Sequence, residues 1–199
     1  MRPTPLQNRA APDGSLHAVA ARGTLMGNRG GRLHREDRTL GAARWRSRAW
    51  ICCRLAFRDR HRVVMGAGYT EIFFLDEATA LAAGHRPCFE CRRADARAFA
   101  ALWPGGPASA PAMDRTLHAE RLAPPQTVAF GALPRGTIFE ADGSFYLRAD
   151  RPRLWSFGGY RAARQFAAHE RVAALTPPTI RAILAAGYAP ALHPSAGAS

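Results

Sequence analysis

The stretch FFLDEATALAAGHRPCFEC, residues 73–91, constrains this chain more than any other. Phe73 and Phe74 close a strand-like run. Asp76 is placed to N-cap a helix over 77–83, with Glu77 at its positive end, and Gly84 supplies the C-terminal stop. The helix delivers the chain straight into His85-Arg86-Pro87 and two thiols two residues apart, Cys88 and Cys91. A thioredoxin-like redox couple precedes its helix, whereas this pair follows one. A knuckle fixed by Pro87 suits one tetrahedral metal at about 2.3 Å from each sulphur. The competing reading is a buried pair that does nothing more than pack.

The surroundings read as an α+β chain. At 199 residues it is long enough to bury a core without a staple, so a metal is not needed merely to fold. Residues 1–20 carry Pro, Asn, Asp and Gly without periodicity and are expected as a mobile basic arm. MGNRGGRLH, 26–34, reads as a Gly and Arg loop. WICCRLAF (50–57), RHRVVM (60–65) and YTEIFF (69–74) read as strands, the first two joined by a turn at Arg58-Asp59. A second helix is expected over 93–103, followed by the linker PGGPASAPA, 104–112. MDRTLHAERL reads as a short helix, and residues 126–160 as a small antiparallel sheet with a hairpin turn at Asp142-Gly143. Thr176 as N-cap, Pro177 at the first helical position and Gly187 as stop bound a last helix. The expected organisation is therefore two α+β modules, 21–103 and 113–199.

Charge points to a partner. All 28 basic residues are Arg, against 15 acids, for a formal net charge of +13. Residues 1–62 hold 14 Arg and 4 acids, and the rest 14 Arg and 11 acids, so the positive field lies in the first third. A GC-rich coding bias accounts for Arg in place of Lys but not for that excess. It favours a polyanion, because Arg neutralises phosphates and releases counterions. The alternative is a solvated basic segment with no specific partner. Arg29, Arg32, Arg35, Arg44, Arg46, Arg48 and Arg54 are the candidate phosphate contacts. No apolar run approaches the ~18 residues of a membrane span. The first residues lack the apolar core of a secretory signal, so the four cysteines are expected as cytoplasmic thiols.

Phe73, Phe74, Ala82, Ala83, Gly84, Arg86, Pro87, Cys88 and Cys91 together resemble the zinc-binding N-terminal domain of Ada-type methylphosphotriester DNA-repair proteins. In that family a strand ending in aromatics, a helix closing on Ala-Ala-Gly and an Arg-Pro-Cys-x-x-Cys knuckle contribute to a four-thiolate zinc site. One of the four thiolates accepts a methyl group from a DNA phosphotriester. The resemblance implies zinc, with Cys88 and Cys91 as ligands, and favours DNA over RNA as partner. The family's upstream Cys-x-x-x-Cys pair corresponds to Cys53 and Phe57, so Cys53 is the third ligand implied and the fourth thiol is replaced.

Successive strand residues point to opposite faces, so Cys52 and Cys53 should not both reach one ion. A fourth ligand could be Cys52 after all, or an imidazole from His34, His61, His85 or His118. Three readings of function follow. Zinc is structural and the arginines bind nucleic acid; or three ligands leave a catalytic position open in a phosphodiesterase or nuclease, with Asp114, His118 or Glu120 moving the proton; or Cys53 accepts a methyl group. Asp114 and His118, at i and i+4, share a helix face, and a solvated ion pair there is the plain alternative. Trp155 and Tyr160 are expected to pack rather than stack on bases.

Overall fold

A computed structural model describes residues 5–60 and 63–197. It is α+β, with four helices and two six-stranded sheets. The first sheet comprises β1 (Gln7–Ala10), β2 (Leu16–Ala18), β3 (Leu25–Asn28), β4 (Ile51–Arg54), β5 (Ile72–Phe74) and β6 (Arg86–Pro87). Its spatial order is β2-β1-β5-β3-β4-β6, antiparallel except at β1/β5 and β4/β6.

The second sheet is antiparallel throughout: β7 (Gln126–Ala129), β8 (Ile138–Ala141), β9 (Ser144–Leu147), β10 (Arg153–Ser156), β11 (Gly159–Ala162) and β12 (Arg171–Ala174). Its order is β11-β10-β9-β8-β12-β7. Asp142 and Gly143, at φ 51° and 70°, make the left-handed turn between β8 and β9 that an Asp-Gly pair favours. The helices are α1 (Glu77–Ala82), α2 (Arg93–Ala101), α3 (Ala110–Leu122) and α4 (Pro178–Ala185). No helix among the described residues is long and apolar enough to cross a membrane.

Helix α1 is buried on every side, and its sequence explains why. Small residues let both sheets approach: Ala80 and Ala83 pack with Cys52, Ile72 and Phe74 of the first sheet, while Ala78 and Ala82 pack with Ile138, Leu147 and Trp155 of the second. Leu81 joins a third cluster with Phe99, Met113, Leu117, Ile180 and Tyr188. Residues that the sequence divided between two modules therefore share two cores. Asp76, fully buried, caps α1 by accepting from the Thr79 N–H at 2.9 Å. It also accepts from the Tyr160 hydroxyl at 2.9 Å and the His193 N–H at 3.1 Å. The Trp155 indole donates to the Thr79 hydroxyl at 3.0 Å, so Trp155 and Tyr160 dock the second sheet on the helix start.

Several local expectations are corrected. Within residues 7–18, β1 pairs with both β2 and β5, so this stretch is a hairpin of the sheet and not an arm. The loop expected over 26–34 begins as β3, inside the sheet. A Cβ at Gly27 would lie 2.1 Å from the Ile51 carbonyl oxygen, so the glycine is a close-approach residue. The strand expected over 60–65 is absent from its described part, where Val63 to Met65 run through a turn. Helix α3 starts at Ala110, inside the expected linker, with Pro111 in its first turn. Pro177 is the N-cap of α4, while the Thr176 hydroxyl accepts from the Ile138 N–H at 2.9 Å.

Candidate metal centre

Three thiols from two distant segments converge. β4 runs parallel to the two-residue β6, with Ile51 opposite Arg86 and Cys52 opposite Pro87. The Cys88 N–H donates to the Cys52 carbonyl at 3.0 Å, which carries the knuckle past the end of β4. Cys53, the next residue on β4, therefore stands beside Cys88 and Cys91. The three sulphurs all lie within 4.8 Å of one another, a group that could hold a metal ion. The Glu90 N–H donates to the Cys88 sulphur at 3.4 Å, as the knuckle turns its amides toward its first thiolate.

Strand alternation sends Cys52 the other way. It is fully buried among Ile72, Phe74 and Ala80, with the Arg92 guanidinium donating to its sulphur at 3.6 Å. Burial pushes the Cys52 thiol up, away from ionisation. Within the triad, a hydrogen bond from the Cys53 thiol brings Cys88 down to about 5, and the same bond with burial raises Cys53. Burial raises Cys91. Three close thiols are thus poised to share charge, and soft sulphur donors suit zinc by donor type.

The triad opens on a cavity of about 430 Å³. Met26, Phe57, Val64 and Phe73 supply apolar wall, and Asn28, Tyr69 and Glu71 polar groups. Glu71 is buried and accepts from the Met65 N–H at 2.8 Å. At the rim, Arg60 pairs with Glu90 at 2.5 Å. Phe57, which stands where the resemblance would put a fourth thiol, lines this space.

None of the described histidines joins the triad. His34 is buried with one nitrogen at 2.7 Å from the Thr70 hydroxyl and the other at 2.9 Å from the Gly66 carbonyl. His85 is enclosed between Trp50 and Phe74, at ring distances of 5.0 and 4.7 Å, and burial holds it neutral. His118 lies edge-on to Trp45 at 5.2 Å. His61 falls outside the described residues. Among those described, the only His, Cys, Asp or Glu group close enough to hold a metal is Cys53, Cys88 and Cys91.

The candidate proton-transfer residues on α3 have other partners. Asp114 takes a bidentate bond from Arg86, both contacts at 2.8 Å, and so anchors the residue two places before Cys88. That buried pair replaces the expected Asp114–His118 contact. Glu120 accepts from the Thr179 hydroxyl at 2.5 Å and its N–H at 3.2 Å, tying α3 to α4. The cavity at the thiols is lined by none of the three.

The candidate phosphate contacts divide. Arg29 is 2% exposed and cannot reach a polymer. Arg32 is half-buried. Arg35, Arg44, Arg46, Arg48 and Arg54 are exposed, and Arg54 also lines the thiol cavity. Sequence reasoning missed Glu71 and Tyr69, and took Arg29 for a surface residue; nothing short of the strand pairing would have placed them.

Compared with known proteins, the chain matches no family model, and no curated protein and no solved structure is detectably similar to it.

Proposed function

We propose that the chain is a zinc protein whose metal is held by Cys53, Cys88 and Cys91 and presents its fourth position to the adjoining cavity. The observation that carries this reading is that one triad both satisfies the spacing of a metal site and lines a cavity of about 430 Å³. Structural zinc sites are closed by four protein ligands, whereas three ligands beside a cavity make an open site. Zinc bound there would supply a Lewis acid and thiolates that stay ionised at neutral pH. The chain's own part is to exclude bulk water with Met26, Phe57 and Phe73, and to offer Asn28, Tyr69 and Glu71 to whatever enters. Such a site is a variant of the Ada-like arrangement with Phe57 in place of one thiol. Cys53 is the thiolate the resemblance would make nucleophilic.

Cobalt substitution tests the open position. The Co(II) protein is expected to show sulphur-to-cobalt charge transfer, and its d–d bands are expected to shift when imidazole is titrated in. A spectrum indifferent to added imidazole, cyanide and small thiols would mean a closed site.

A second reading is favoured by one segment. Along residues 42–48 exposure alternates, so that Arg44, Arg46 and Arg48 all face outward, and none of the three pairs with a carboxylate among the described residues. Such a row suits the phosphates of nucleic acid, DNA first on the resemblance. Reversing all three to Glu is expected to weaken binding at low salt and to flatten the dependence of log affinity on log salt by roughly three phosphate contacts' worth. Equal affinity in that variant would leave the row as a solvated surface.

A further inference from the structure

Away from the thiol cavity, two arginines lie against one indole and a third shares the cavity walls beside them. The Arg29 and Arg121 guanidinium carbons lie 4.0 and 4.4 Å from the Trp50 ring centroid. Arg29 is almost wholly enclosed, donating to the Gly14 carbonyl at 2.7 Å and toward His85 Nε2 at 3.4 Å. Arg121 donates to the Leu117 carbonyl at 2.7 Å and the Arg48 carbonyl at 3.3 Å. Its Nη1 is buried with no hydrogen-bond partner among the described residues. Arg44, on the exposed loop, stands at the wall of both cavities beside this group, one of about 540 Å³ shared with Trp50 and Arg121, the other of about 260 Å³ shared with Arg29.

No carboxylate within the described residues forms an ion pair with Arg29, Arg44 or Arg121. Asp114 is held by Arg86; Asp13 and Glu120 share the wall of the larger cavity, where Asp13 accepts from Ser15 and Glu120 from Thr179, and neither makes an ion pair with these arginines. Burial and then neighbouring arginines push the Arg29 guanidinium down to about 9, and burial pushes the half-buried Arg121 down to about 9 against the opposing pull of Asp114 and Glu120. At neutral pH both are still cations. An indole face offsets part of such a burial, by roughly 0.5–2 kcal/mol per cation, but carries no countercharge. Buried charges are ordinarily paired, so an unpaired pair of guanidinium groups at a cavity wall marks a place for an anion.

We infer that the cavity between Trp50, Arg121 and Arg44 is a binding site for a compact oxyanion, in the form of a phosphate monoester whose organic part lies against the proline wall of Pro124, Pro125 and Pro177. Guanidinium forks match phosphate oxygens in spacing and direction, and Arg44 and Arg121 stand on the wall of this one cavity. A cavity of about 540 Å³ is within the range of small-molecule sites, and its prolines and Leu175 give an organic body apolar contact. The inference does not rest on the metal reading, since no residue of the thiol cavity takes part.

Isothermal titration of the full-length protein with inorganic phosphate, at ionic strength held constant with chloride, tests the site. One saturable phosphate per chain is expected. Arg44→Gln, a change at an exposed residue, should weaken it roughly tenfold while leaving metal content and melting temperature as they were. Arg121→Met should abolish it, and if that variant does not fold, Arg44→Gln decides alone. No saturable binding by the wild type, or binding undiminished in Arg44→Gln, overturns the inference.

Discussion

Protein prepared without added metal is expected to carry one zinc per chain, and Cys53→Ser, Cys88→Ser and Cys91→Ser each to lose it on dialysis. With only three thiolates available, removing one leaves two, which is too few to hold zinc against a chelator. The free energy at stake is large: closed four-ligand zinc sites are worth on the order of 10–16 kcal/mol at neutral pH, an upper bound for a site with three protein ligands, and binding energy of this kind appears as folding energy. Cys52→Ala is the control, because its thiol points into the core beside Ile72 and Phe74. It should keep the metal while losing some packing. Metal analysis by mass spectrometry, with melting curves before and after chelation, reads all four variants. Full zinc in Cys53→Ser would remove β4 from the site and reduce it to the knuckle alone; well under one zinc in the wild type would return all three thiols to packing.

That test separates what the sequence made legible from what it did not. The strand, the capped helix, Gly84 and the Cys-x-x-Cys knuckle were readable because each is local: a cap three residues from its donor, a stop one residue past a helix, a spacing of two. Gly84 sits at φ 77°, as a helix stop requires. That Cys52 and Cys53 face opposite ways was readable too, since alternation on a strand is also local; which of the two meets the knuckle came from the resemblance alone. What could not be read was non-local. β1 and β2 are short and carry Asn8 and Arg9 among few apolar residues, so nothing in their own composition outweighs Pro12 and Gly14; pairing of β1 with β5, and of β2 with β1, makes them strands. The position of β3 depends on Ile51 passing within contact of Gly27.

Charge misled for a related reason. Arg29, Arg86 and Arg92 look like surface residues in the sequence, yet all three are buried, and the last two hold buried carboxylates. In the first third Arg29 is the one buried arginine among the described residues, so the surplus there is mostly a surface feature. A tally of charge along the chain cannot tell an arginine that faces solvent from one that lies across a tryptophan.

Glu77→Gln is expected to cost about 3–5 kcal/mol of stability, the range for breaking a buried ion pair on one side. Glu77 is 1% exposed at the first turn of α1. Its carboxylate takes Arg92 at 2.8 Å, the Tyr188 hydroxyl at 2.7 Å and the Ala191 N–H at 2.9 Å. It therefore ties the start of α2 and the segment after α4 to the helix that both sheets enclose. Gln keeps the volume but removes the charge, leaving the Arg92 guanidinium buried with only the half-exposed Asp95 carboxylate beside it. Burial and the neighbouring Glu77 charge raise the Tyr188 phenol, so that hydroxyl remains a donor with a weaker acceptor to serve. Urea unfolding followed by tryptophan fluorescence and by far-ultraviolet circular dichroism measures the change. Because Leu81 and Phe99 pack with Ile180 and Tyr188, the wild type should unfold in one transition, and the variant should shift its midpoint without splitting it. Two separated transitions in the wild type, or a loss under about 1 kcal/mol in the variant, would mean that the two sheets stand independently and that Glu77 only decorates their contact.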